Sequence, residues 1–69
     1  MAYLVIKRTT WGKGATLVKA KAQYLMAGGD DIDKVSVYTV PDDYYIDDWG
    51  NGHGSAPAVH VSGPDLRTS

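Results

Sequence analysis

Apolar and polar residues fall into short runs along the chain, separated by clusters of glycine, proline and aspartate. Tyr3-Leu4-Val5-Ile6-Lys7-Arg8-Thr9 is rich in β-branched and aromatic residues and predicts a strand over residues 2–9, buried on one face and partly covered on the other. Trp11-Gly12-Lys13-Gly14 reads as a turn, and Thr16 or Gly14 is placed to cap a helix beginning at residue 15. Residues 15–27 are good helix formers without proline or internal glycine, and Gly28-Gly29 predicts a left-handed C-terminal cap. On a 3.6-residue period this helix carries two apolar stripes, Ala15, Val18, Ala22, Leu25 and Met26 on one side and Leu17, Ala20 and Tyr24 on another. Its pattern does not decide which stripe faces the core.

A period of two returns in residues 34–40, where Val35, Val37 and Thr39 alternate with Ser36, Tyr38 and Val40. Pro41-Asp42-Asp43 then predicts a turn, with Tyr44-Tyr45-Ile46-Asp47 running back as the second strand of a hairpin. A glycine-dense loop from Trp49 to Ser55 leads to a last short strand at residues 58–62, ended by Gly63-Pro64. The predicted fold is therefore α+β in the order β-α-β-β-β: a small three- to four-stranded sheet with one helix packed on one face. The domain is expected to span residues 1–63, with residues 64–69 a flexible tail. One helix covers one face, so the other is expected to stay open to solvent or to a second copy in a homodimer.

Length narrows the function classes. A chain of 69 residues makes one small core and leaves little material for the walled cleft and supporting shell of an enzyme, so no catalytic residues are assigned. It has no cysteine and hence no disulfide framework or thiolate metal site. The opening apolar run, Ala2 to Ile6, is too short for a signal peptide, and no segment has the ~20 apolar residues of a membrane span. The sequence reads as a complete short open reading frame whose product is cytoplasmic, acting in a host cytoplasm if phage-encoded.

Charge changes the picture more. Residues 1–29 carry Lys7, Arg8, Lys13, Lys19 and Lys21 without an acid, a sum of +5, whereas residues 30–48 carry seven aspartates against Lys34, a sum of −6. Such polarisation concerns partners rather than fold. Asp42, Asp43, Asp47 and Asp48 mingle with Tyr38, Tyr44, Tyr45 and Trp49, combining carboxylates with rigid amphipathic aromatics, the composition of a surface that docks on a basic protein. Carboxylates meet the same arginine and lysine donors that phosphates do, so this surface can occupy a groove built for nucleic acid. An alternative reading pairs Lys7, Arg8 and Lys13 with Trp11 on the open sheet face as a nucleic-acid-binding module, although a pI of about 6.0 opposes it. A third reading pairs the +5 and −6 segments between copies of the chain in a homo-oligomeric structural protein.

Other motifs fail on spacing. Gly12-Lys13-Gly14-Ala15-Thr16 lacks the upstream glycine of a phosphate-binding loop. Asp47 to Gly52 begins like a calcium loop, but Trp49 stands at the third ligand position and Ala58 at the last. His53 and His60 are too few for a zinc site, so no metal and no cofactor are expected.

In size, layout and the acidic-aromatic segment from Pro41 to Trp49, the chain looks like the small inhibitors that bacteriophages and mobile elements encode against host machinery, such as anti-CRISPR proteins and phage inhibitors of RNA polymerase. The resemblance covers no family motif and transfers no residue roles. It implies stoichiometric blocking of a nucleic-acid-handling protein, by nucleic-acid mimicry.

Overall fold

The computed structural model describes residues 1–64; the tail expected from residue 64 lies, beyond Pro64, outside the described residues. Its elements are β1 (Ala2–Lys7), β2 (Thr10–Gly14), α1 (Leu17–Met26), a single 3₁₀ turn (Ile32–Lys34), β3 (Ser36–Val40), β4 (Tyr45–Ile46), β5 (Gly52–His53) and β6 (Val59–Ser62). Four strands form an antiparallel sheet in the order β2-β1-β3-β6, with α1 packed against it, the small α+β arrangement expected. β4 and β5 form a separate ribbon.

The strand order departs from β-α-β-β-β at its start. Trp11 to Gly14 is a strand and not a turn; the chain reverses one step earlier, at Arg8-Thr9, between the paired residues Lys7 and Thr10. Arg8 takes a positive φ of 57°, the conformation a two-residue hairpin loop needs. Gly12 and Gly14 serve packing. A Cβ on Gly12 would strike the backbone of Tyr24 and come within 2.6 Å of Ala20 O, and one on Gly14 would lie 2.7 Å from Ala20 N. Two glycines at alternate positions thus let α1 rest directly on the β2 backbone, and Ala20 is completely buried there.

Thr16 caps the helix, its Oγ1 accepting the Lys19 N–H at 3.2 Å. At the other end the Gly29 N–H reaches Tyr24 O at 3.0 Å and the Gly28 N–H reaches Leu25 O at 3.1 Å, with Gly28 at φ 93°, a Schellman closure. The core stripe is Leu17, Ala20 and Tyr24, while Val18, Ala22, Leu25 and Met26 face away from the sheet.

β1 and β3 lie in the middle of the sheet, which is why both read as nearly continuous apolar runs. Alternation along β1 sends Val5 into a cluster with Ala20, Tyr24, Val35 and Val37 on the helix side, with Tyr3, Leu17 and Ile32 packed against it. Ala2, Leu4 and Ile6 enter a second cluster with Tyr38, Val40 and Ala58 on the opposite side.

Two expectations fail on that opposite side. β3 does not pair with residues 44–47, because β1 and β6 already occupy its two edges. Nor is the second face open. The segment from Pro41 to Ala58 folds back across it, and Tyr44, Ile46 and Trp11 pack against the second cluster. A 69-residue chain thereby gains two apolar layers from one sheet, which offsets the small core that its length allows.

Part of the charge polarisation is resolved within the molecule. Lys7 Nζ lies 3.2 Å from Asp30 Oδ1 and 2.9 Å from Asp31 Oδ2, tying the end of β1 to the segment just past α1. Asp31 first, then Asp30, hold the Lys7 ammonium above its ordinary pKa. No helix among the described residues is long and apolar enough to cross a membrane.

Candidate functional site

The acidic-aromatic segment forms the covering flap and its tip. At the base of the flap, Lys13 Nζ donates to two backbone carbonyls, Asp42 O at 2.6 Å and Tyr44 O at 2.8 Å, fastening the flap to β2. The α-amino group of Met1 pairs with Asp42 Oδ1 at 3.1 Å, an exposed contact of small energetic weight. Asp43, between Asp42 and Tyr44, closes the base by reaching across to the segment after β5, accepting the Ser55 N–H at 3.1 Å on each carboxylate oxygen and the Ser55 hydroxyl at 3.1 Å. The Ser55 N–H is the chief cause that holds the Asp43 carboxyl below its ordinary pKa.

Between base and tip, Tyr44 is half-buried, its ring facing the sheet and the glycines Gly52 and Gly54, in and just after β5. A side chain at Gly52 would strike its hydroxyl, and one at Gly54 would lie 2.8 Å from its Cδ2. Tyr45, the next residue, therefore points outward, and its ring stacks on His53 with centroids 5.0 Å apart and an interplanar angle of 20°.

The tip, residues 47–51, is organised by Asp47. Its Oδ1 accepts the N–H of Trp49 at 3.0 Å and of Asn51 at 2.8 Å, while its backbone N–H reaches Asn51 O at 2.9 Å and its carbonyl accepts the Gly50 N–H at 3.0 Å. His53 Nε2 lies 2.8 Å from the remaining oxygen, Oδ2. The His53 bond, then the Asn51 and Trp49 amides, hold the Asp47 carboxyl below its ordinary pKa. Gly50 supplies the positive φ, 84°, at which the turn reverses. Trp49 emerges from this fixed turn 83% exposed. Asp48 beside it is exposed and has no ionic partner among the described residues.

The residues singled out from sequence thus divide by role. Asp48 and Trp49 share the tip, Tyr45 faces outward from β4 beside it, and Asp42 is exposed at the base. Asp43 and Asp47 hold the scaffold together, Tyr44 packs inward, and Tyr38 leaves the surface altogether, being 3% exposed with its ring edge on His60 at 5.5 Å. His53, Asn51 and Ser55 complete the tip and its base and escape a reading by composition; the legible signal was an aspartate with Asn51 and His53 four and six residues later around glycines.

The residues of the alternative basic surface do not assemble. Lys7 is paired with aspartates, Lys13 holds the flap, Trp11 packs against the second cluster, and Arg8 alone stands exposed at the first turn. Hollows lie at the surface, one of about 500 Å³ beside Trp11, Lys13, Gln23 and Met26 and one of about 190 Å³ between flap and sheet beside Leu4, Ile6, Arg8, Tyr38 and Ile46. His60 donates to Gly63 O at 2.6 Å, and no group of three or more metal-ligating side chains occurs among the described residues. Comparison of the chain with protein-family models, with curated proteins and with solved structures found no match.

Proposed function

We propose that the chain is a non-catalytic binding protein that docks its flap, Trp49 and Asp48 at the tip with Tyr45 beside it and Asp42 at the base, on a basic surface of a nucleic-acid-handling protein and blocks it. The observation that carries this reading is the exposure of Trp49, 83%, on a turn whose backbone is pinned by the Asp47 carboxylate. Tryptophan is the residue most enriched among binding hot spots, and a turn ordered before binding avoids much of the ordering cost. Asp48 adjacent to the indole suits an arginine that stacks on the ring and meets a carboxylate. The aspartates available to a partner are fewer than the seven of the sequence, so the indole carries more of the affinity and the charge more of the orientation and encounter rate.

The test is capture of a partner from a lysate of the organism that carries the gene, with wild type, Trp49→Ala and Asp48→Lys compared. The reading expects a basic protein retained by wild type, depleted with both variants and released by short duplex DNA. Retention that is equal for all three forms rejects the tip as the binding surface, and retention indifferent to DNA rejects nucleic-acid mimicry.

A further inference from the structure

The outer face of α1 is apolar where a surface helix is ordinarily polar. Val18 and Met26 are each 78% exposed and Leu25 50%, with Ala22 exposed between them. Val18, Ala22 and Met26 lie four residues apart and form one ridge, symmetric about a small residue. Ridges of this spacing interdigitate when two helices cross at about −50°, and a small residue at the crossing lets the axes approach to about 8 Å. A two-fold axis through Ala22 sets Val18 of each copy against Met26 of the other, so the ridge is complementary to itself.

Charge favours the same pairing. α1 contains no acidic residue, has none in its first turn to face the positive end of the helix dipole, and has no basic residue in its last turn to face the negative end. Lys19 and Lys21, in its N-terminal half, have no ionic partner among the described residues. The side chain of Asp30, three residues past the C-cap, is 82% exposed even while holding Lys7. The two-fold through Ala22 directs each Lys19 toward the C-terminal end of the partner helix, supplying the positive charge that end lacks.

We propose that this face is the contact between two copies of the chain, an isologous helix–helix dimer centred on Ala22. A ten-residue helix is about 15 Å long, so the pair buries well below the ~800 Å² per partner of a stable interface. The dimer is accordingly weak, with a dissociation constant between roughly 1 μM and 1 mM, and exchanges rapidly with monomer. It presents two flap tips, but rests on a surface separate from theirs.

Sedimentation equilibrium on the full chain from about 10 μM to 1 mM, bracketing that range, tests the proposal. Wild type is expected to rise from the 7.4 kDa of the monomer toward twice that mass. Ala22→Glu and Ala22→Lys, each folded by circular dichroism because residue 22 touches solvent, are expected to stay monomeric alone, since on a two-fold axis each meets its own charge. Mixed in equal amounts they are expected to associate. Wild type remaining monomeric at the top of the range overturns the proposal, as does a dimer that either single variant leaves intact, which would locate self-association elsewhere, such as the β6 edge. Failure of the mixture to associate overturns the two-fold through Ala22.

Discussion

Asp47 Oδ1 accepts the backbone N–H of Trp49 at 3.0 Å, so a carboxylate of the acidic segment is engaged in fixing the turn that carries the exposed indole. Asp47→Ala is expected to leave the sheet and α1 folded but to free the tip. Amide exchange at Trp49 and Asn51 should accelerate while exchange in β1 and β3 is unchanged. A uniform change across the protein would contradict the local role of Asp47.

The same carboxylate sets an acid limit. Asp43 and Asp47 both have folded-state pKa values below the ordinary aspartate value, so the stabilisation they bring is complete above that value and is lost as pH falls through the lower, folded ones. Flap and tip are therefore expected to hold their geometry above about pH 5 with respect to these two groups and to open below the ordinary aspartate range. Proton NMR of Trp49 and Ser55 against pH checks this; opening that begins well above that range contradicts it.

Gly12→Ala places a methyl group against the backbone of Tyr24 and Ala20, atoms that cannot move without shifting α1 as a whole. The expected loss is about 3 kcal/mol or more, the upper part of the overpacking range, read by denaturant unfolding. A loss below ~1 kcal/mol would show that the helix does not depend on direct contact with β2.

Tyr24 Oη donates to Asp30 O at 2.6 Å from a residue that is 1% exposed. Tyr24→Phe keeps the ring and removes the donor, and is expected to cost about 1 kcal/mol. In a domain of this size that lowers Tm by roughly 4–8 °C. An unchanged Tm would contradict the role given to this bond in closing the connection after α1.

Strand β1, the helix, its Thr16 cap, its double-glycine end and the last strand were legible because each rests on local signals: β-branched runs, helix propensity, an N-cap hydroxyl and glycine's access to positive φ. β2 was not, because glycine is ambiguous. In Gly12 and Gly14 it looks like a turn, and only the approach of α1 reveals it as clearance for a helix. Pairing of β3 with residues 44–47 was wrong because Pro41-Asp42-Asp43 is good turn chemistry that does not say which strands flank it; the near-complete burial of Ser36–Val40 reflects a central strand with both edges taken by β1 and β6. The acidic-aromatic segment was recognisable as unusual, but which aspartates face solvent depended on hydrogen bonds to Ser55, Asn51 and His53 that composition does not contain.

The central claim is that the exposed indole on the pinned turn is the binding anchor. The measurement that tests it most directly is calorimetric titration of the purified captured partner with wild type and with Trp49→Ala. The account predicts an affinity at least about 30-fold lower for the variant, the ~2 kcal/mol of a hot-spot tryptophan, with both forms equally folded. An affinity unchanged by removal of Trp49 would contradict it.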